Sequence, residues 1–167
     1  MSAKIDWIEK QAAENLKFRL QICETLAKDA NTLLTILITA IGAVVAYAIK
    51  STENNGDIAL LAGTIAMGAW LMIIALILVF KCIMTSKLIP IGNEPKKLNL
   101  ENYTLEEIKV FELENVQNSI IHTAKRNQKT AYWLDNARLA TVSSPLVFIL
   151  IWVFWFYLEN GLCAQAL

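Results

Sequence analysis

Basic and aromatic residues are concentrated between His122 and Arg138, in the stretch HTAKRNQKTAYWLDNAR. Cationic groups beside an aromatic ring can hold a nucleotide by charge and stacking. At a membrane surface, the same composition anchors a helix among acidic lipid headgroups. The sequence leaves both interpretations open, with headgroup anchoring the ordinary role of such clusters. The candidate ligand or headgroup contacts are Lys125, Arg126, Lys129, Tyr132, Trp133 and Arg138.

The one histidine, His122, lies four residues before Arg126. This pair could support ribonuclease-like chemistry or contact a ligand, but at this spacing it is more typical of an exposed helix surface. No carboxylate pair, nucleophile elbow, phosphate loop or metal-ligand spacing can be assembled from the other residues, and the three cysteines lie far apart. We therefore expect a protein that is not an enzyme and uses no metal or other cofactor.

Hydroxyl groups recur on one helical face of an apolar segment around residue 35. Leu34, Leu37, Ile41 and Val44 fall on the opposite face, where we expect them to meet lipid. One interpretation packs the small face against the alanine-rich face of the next apolar segment, as a hairpin. The other places the hydroxyls along an aqueous pore, which requires several copies of the chain. The candidate pore-lining residues are Thr32, Thr35 and Thr39, followed on the same face by Gly42 and Ala46.

Three uncharged segments are long enough to cross a bilayer. The mean hydropathy of the whole chain is +0.44, and 56% of its 167 residues are apolar. About 20 apolar residues are needed for one span. We therefore predict transmembrane helices over residues 30–50, 58–82 and 139–158, with an external turn at 51–57 and an external tail at 159–167. Pro145 predicts a kink or a new helix start within the third segment.

The distribution of lysine and arginine predicts the orientation. Five precede the first predicted span and nine lie between the second and third, which leaves Lys50 alone on the other side. Positive residues are retained on the cytoplasmic side of bacterial membranes. We therefore predict a membrane protein with a cytoplasmic amino terminus and an external carboxyl terminus. The formal net charge is zero, so no nucleic-acid partner is expected.

The cytoplasmic regions, residues 1–29 and 83–138, are expected to be helical where they approach the membrane. Leu16, Leu20 and Cys23 share one helical face. Residues 89–103 contain two prolines and a glycine and predict an irregular loop. Thr104 and Glu107 then form a capping-box pattern that opens a second amphipathic helix. The predicted fold class is an all-α integral membrane protein, whose two amphipathic cytoplasmic helices continue into spans one and three.

These elements and their local sequences resemble a known group of bacterial proteins. The stretches that carry the resemblance are AKDANTLL (27–34), TLEEIKVFELENVQNSI (104–120) and KRNQKTAYWLDNAR (125–138). They are similar to the small transmembrane effectors of nucleotide-signalling antiphage systems, the Pycsar and SLATT-like groups. The resemblance implies a homo-oligomer that disrupts the inner membrane when a cytoplasmic cue arrives, which kills or arrests the infected cell. The sequence has no recognisable nucleotide-binding domain, so the cue could be a nucleotide or a protein partner.

Two further functions are compatible with the same features. A membrane-anchored sensor or scaffold would use its cytoplasmic helices to recruit a soluble partner and would never conduct ions. A superinfection-exclusion type of regulator would act on another membrane protein through its spans. Membrane leakage supports the effector, whereas capture of one dominant partner without leakage supports the scaffold.

Overall fold

The computed structural model describes residues 2–53, 57–84 and 103–164, and almost all of them are helical. Helix α1 covers Ser2–Glu53, and α2 covers Ile58–Leu78 and continues as a π-helical turn over Val79–Ile83. Helix α3 covers Leu105–Val142, and α4 covers Ser144–Ala164. The chain divides into a polar unit, Met1–Lys28 with Thr85–Tyr132, and an apolar unit, Asp29–Met84 with Trp133–Leu167. Residues 89–102 of the predicted loop, residues 54–56 of the predicted turn and residues 165–167 of the predicted tail lie outside the described residues.

Two of the described helices, α1 and α2 with its π turn, are long and apolar enough to cross a membrane. A third crossing is possible if α3 and α4 are counted together, because they pass the same test as a pair bent by 43°. Many large apolar side chains of the apolar unit are exposed. Ile38 and Ile49 of α1 are 59% and 57% exposed, and Ile65 of α2 is 58% exposed. Soluble monomers rarely expose so much contiguous apolar surface, and in a bilayer these side chains meet lipid.

A break separates α3 from α4 at Ser143, which confirms the new helix start expected next to Pro145. Proline has no N–H to donate, so helix carbonyls before it lose a partner. Here the Ser144 hydroxyl donates to the Thr141 carbonyl at 2.8 Å. The Ala140 carbonyl accepts from the Ser143 hydroxyl at 2.9 Å and from Nε1 of Trp70 in α2 at 3.1 Å. Such partners stabilise the break because backbone groups that are shielded from water cost free energy unless they are paired.

The apolar unit is built on close packing between α2 and α4. A Cβ placed on Gly63 would lie 3.1 Å from Cε2 of Phe148 and 3.3 Å from its carbonyl oxygen. Ala59 on the same face of α2 is fully buried. Small residues let two helices approach closely where lipid replaces water and the hydrophobic effect no longer drives association. The small face of α2 therefore packs against α4, and the prediction that it packs against the threonine face of α1 is wrong.

The face of α1 that packs inside the apolar unit is the bulky one. Leu37 is fully buried and Val44 is 9% exposed, so the expectation that they meet lipid is wrong. Val44 Cγ1 lies 3.1 Å from the position that a Cβ on Gly68 would occupy in α2. The large side chain fills the space left by the missing one, and this shape match outweighs any preference of the bulky face for lipid.

In the polar unit, the first half of α1 pairs with α3. Leu16 of α1 is 4% exposed, and Ile120 of α3 is 7% exposed. Asp6 bonds to Lys109 and the Arg19 carbonyl bonds to Asn127, so the two helices run parallel. Two helices cannot cover each other completely. Large apolar side chains stay exposed, among them Trp7 at 64%, Phe18 at 58% and Val110 at 54%.

The start of α3 confirms the predicted capping box. The Thr104 backbone N–H donates to Glu107 Oε2 at 2.8 Å, and the Thr104 hydroxyl donates to the same oxygen at 2.9 Å. The Glu107 N–H returns a bond to the Thr104 hydroxyl at 3.4 Å. These bonds favour the carboxylate and lower the pKa of Glu107, first through the backbone bond and then through the side-chain bond. The cap stabilises the first turn of α3, directly before Lys109.

Candidate functional site

The threonine face of α1 points away from the packed interior of the apolar unit. Thr32, Thr35 and Thr39 are all exposed, as are Gly42 and Ala46 further along. Apart from the neighbouring backbone of α1 itself, no described atom lies within 4 Å of the position that a Cβ on Gly42 would occupy. The structure therefore brings the three pore-lining candidates together on one exposed face of α1.

The hydroxyl groups of Thr35 and Thr39 already donate hydrogen bonds to the backbone of α1. Thr35 donates to the Asn31 carbonyl at 3.0 Å, and Thr39 donates to the Thr35 carbonyl at 2.9 Å. Each hydroxyl oxygen keeps lone pairs that can still accept a bond from water or approach a cation. The face therefore presents acceptors and methyl groups, a combination that tolerates contact with a helix, with lipid or with water.

The basic cluster predicted in α3 is divided between the two units. In the polar unit, Lys125, Lys129 and Tyr132 are exposed, and Arg126 is half-buried. Of these four, Lys125 lines a cavity between α1 and α3 in this unit. His122 is exposed. Among the described residues, no group of three His, Cys, Asp or Glu side chains could hold a metal ion.

The remaining members of the cluster, Trp133 and Arg138, have partners in the apolar unit. The Lys81 ammonium lies 5.7 Å from the centroid of the Trp133 ring, a cation–π contact. Arg138 Nη2 lies 2.8 Å from Asp29 Oδ2, and its Nη1 lies 3.4 Å from Asp135 Oδ1. Arg138 is thus an ion-pair residue joining α3 to α1, and the structure does not bring it into one site with Lys125.

Reversing the charge of Arg138 tests this ion pair. Both side chains are nearly half exposed, so we expect Arg138→Glu to lower the free energy of unfolding by about 1 kcal/mol. The double variant Asp29→Arg/Arg138→Glu should recover most of that loss because it restores opposite charges. Unfolding in mixed micelles, followed by circular dichroism, measures both. If the loss of unfolding free energy in the double variant equals the sum of the losses in the two single variants, the contact contributes nothing to stability.

Three polar contacts between α1 and α3 were not predicted from the sequence. Lys109 Nζ lies 2.6 Å from Asp6 Oδ1, which raises the pKa of Lys109 above its ordinary value mainly through that hydrogen bond. Asn127 Nδ2 donates to the Arg19 carbonyl at 2.8 Å, and the third contact is Asp29 with Arg138. The partners are more than 100 residues apart, so no local pattern reveals them. The asparagine in an otherwise apolar stripe of α3 was the one available signal.

Comparison with known proteins adds no relative. No family model matches this chain, and no curated protein or solved structure matches it.

Proposed function

We propose that this protein is an oligomeric inner-membrane effector that permeabilises or depolarises the membrane when a cytoplasmic cue reaches its polar unit. The observation that carries the proposal is the exposed threonine face on a helix of membrane-spanning length. A single copy leaves this face exposed, and several copies arranged around it would enclose a path lined by acceptor oxygens. The role in antiphage defence rests on the resemblance of the sequence to known effectors.

The exposed apolar surface of the polar unit supports self-association. Trp7 and Phe18 are eleven residues apart on α1, which is three helical turns, so they share one face. Both are more than half exposed, and Phe111 of α3 is 50% exposed. If these side chains face the cytoplasm, their burial against a further copy of the chain stabilises the complex, because apolar surface is removed from water. Homo-oligomerisation is therefore part of the proposal.

The proposed topology has three crossings, the third formed by the end of α3 together with α4. Its support is the positive-inside distribution, in which fourteen of fifteen lysines and arginines would stay cytoplasmic. The Lys81–Trp133 contact and the Asp29–Arg138 ion pair would lie at the inner surface of the membrane. Aromatic and cationic groups are favoured at that depth because each has an apolar part and a polar part.

A membrane-potential dye in cells expressing the protein tests the proposed function. Expression together with infection or another activating cue should collapse the potential, and cells without the protein should keep it. A tag at Leu167 that reacts with a membrane-impermeant reagent from outside verifies insertion and orientation. If the protein is inserted and the cue demonstrably alters the protein, but the membrane potential persists, permeabilisation is ruled out.

A second candidate is the membrane-anchored scaffold, favoured by one specific observation. A groove of about 420 Å³ in the polar unit is lined by aliphatic side chains of both helices, including Leu16, Leu20 and Leu113, with Glu9 and Lys109 at its margin. Grooves of this kind accept the apolar face of an amphipathic helix. Purification of one dominant soluble partner with the full chain, in cells whose potential is unchanged, would favour the scaffold over the effector.

A further inference from the structure

Helix α2 contacts both sides of the break between α3 and α4. Trp70 of α2 donates from Nε1 to the carbonyl of Ala140, three residues before the break, at 3.1 Å. Gly63, seven residues earlier in α2, packs against Phe148, five residues after the break. Seven residues are about two helical turns, so Trp70 and Gly63 lie on one face of α2. This face therefore holds the two helices at two points, one on each side of the break.

The backbone at the break is suited to a change of angle. Helices α3 and α4 meet there at a bend of 43°. Pro145 has no N–H for the Thr141 carbonyl, four residues earlier, and the Ser144 hydroxyl donates to that carbonyl instead at 2.8 Å. A serine hydroxyl can rotate, so it can keep this bond while the backbone angle changes. Sharp helix kinks occur at prolines, and hinge motions are absorbed by a few residues at the ends of elements.

The two contacts with α2 differ in strength. At Gly63, the ring and the backbone of Phe148 lie 3.1 Å and 3.3 Å from the position of an added Cβ, and such close packing holds α4 against α2. The Trp70 contact is a hydrogen bond between neutral groups, which contributes only modestly to stability. Leu139 and Val142, in the last turn of α3, are 74% and 80% exposed. The last turn of α3 is therefore held to α2 more weakly than α4 is.

We propose that residues 143–145 form a hinge, and that the hydrogen bond from Trp70 Nε1 to the Ala140 carbonyl holds the last turn of α3 at its present angle to α4. Leu134 and Ala137, earlier in α3, are buried. Because these side chains keep α3 in place, loss of the Trp70 bond tilts the last turn without detaching the helix. That this tilt would carry the cue to the spans rests on the proposed function, whereas the hinge itself does not.

Distances between spin labels test the hinge in the full chain in nanodiscs. Each labelled pair consists of two exposed positions changed to cysteine, in a background without the native cysteines. The first pair, Ile73 and Leu139, reports the distance from α2 to the end of α3, and the second, Ile65 and Leu150, reports the distance from α2 to α4. Trp70→Phe removes the indole N–H and keeps an aromatic ring. We expect it to broaden the distance distribution of the first pair and to leave the second unchanged.

Hydrogen exchange measures the size of the effect. Loss of one neutral hydrogen bond shifts an opening equilibrium about fivefold, so the backbone amides of residues 139–146 should exchange about fivefold faster in Trp70→Phe. Trp152→Phe is the matched control. It makes the same change in α4, nine residues after the break, where the indole lies 6.0 Å from the Phe156 ring. This control should leave the exchange of residues 139–146 unchanged, and circular dichroism verifies that each variant is folded.

Pro145→Ala tests the hinge in the opposite direction. Alanine supplies a backbone N–H that can bond to the Thr141 carbonyl and stiffen the break. We expect Pro145→Ala to narrow the distance distribution of the first pair. If Pro145 merely supported the fold, its replacement would broaden the distribution instead. This variant tests the hinge even if Trp70→Phe does not fold.

Three results would overturn the hinge: Trp70→Phe folds and leaves the first pair unchanged, Trp70→Phe broadens both pairs equally, or Pro145→Ala broadens the first pair. Because neither measurement detects permeability, their outcome is separate from the proposed function. Depolarisation by a protein whose label distances do not respond to Trp70→Phe overturns the hinge alone. The expected distance changes in a protein that never depolarises the membrane leave the hinge standing.

Discussion

Gly63→Leu is expected to destabilise the apolar unit severely, whereas Gly42→Leu should leave the fold of a single chain intact. A Cβ at Gly63 would already lie 3.3 Å from the carbonyl oxygen of Phe148, and backbone cannot swing aside as a flexible side chain can. Overpacking of this kind costs about 1–3 kcal/mol or more. At Gly42 an added Cβ meets no described atom within 4 Å apart from the neighbouring backbone of α1 itself.

Both variants add the same atoms to a glycine in an apolar helix, so the pair separates a steric effect from a change in hydropathy. The measurement is the fraction of purified protein that remains helical during titration with a denaturing detergent. We expect Gly63→Leu to unfold at a clearly lower fraction of denaturing detergent than the parent and Gly42→Leu to unfold with the parent. Equal stability of the two variants would show that α2 and α4 do not pack at Gly63.

The double variant Thr35→Leu/Thr39→Leu is expected to reduce permeabilisation about tenfold or more, because it replaces acceptor oxygens along the proposed path with apolar groups that exclude water. Each substitution also removes a hydroxyl bond to the preceding turn of α1. That second effect needs its own control. Depolarisation with the dye assay, compared at equal amounts of inserted protein, gives the measurement.

Thr25→Leu provides the matched control for this substitution. The Thr25 hydroxyl donates to the Gln21 carbonyl at 3.0 Å and is exposed, as Thr35 and Thr39 are, but it lies before the first predicted span. We expect Thr25→Leu to leave permeabilisation unchanged. Thr35→Ser/Thr39→Ser, which keeps the hydroxyls, should retain most of it. Leakage that survives the double leucine variant would place the path on another surface of the protein.

Much of the fold follows from local sequence signals. The apolar segments predict helices of membrane-spanning length, Thr104 with Glu107 predicts the start of α3, and Pro145 predicts the break before α4. These signals act over a few residues, so their physical basis is contained in the local sequence. The structure shows the helices and both boundaries.

The contacts between helices were harder to predict. A helical wheel separates the threonine face of α1 from its bulky face but does not determine which one packs inside the chain. In lipid that choice depends on shape, here the fit of Val44 beside Gly68, and not on hydropathy. Helix geometry alone separates Arg138 from Lys125 on the surface of α3. Thirteen residues at 100° each place them about 140° apart around a helix.

The contacts between α1 and α3 in the polar unit show the same limit. Lys125 was identified from its own neighbours in the sequence, but Arg19, which lines the same cavity, comes from a helix more than 100 residues earlier. The burial of Asn127 could be read only after α1 and α3 were paired, because a polar residue within a basic stretch is normally exposed. Contacts of this range require the tertiary structure.

The number of chains in the native complex tests the central claim most directly. Native mass spectrometry of the full chain released from nanodiscs measures it without any need for the cue. Several chains enclosing a common face are required, so we predict one defined complex of several copies, weakened by bulky substitution at Gly42. A protein that remains a monomer at every concentration tested would contradict the account, because one copy cannot enclose a hydrated path.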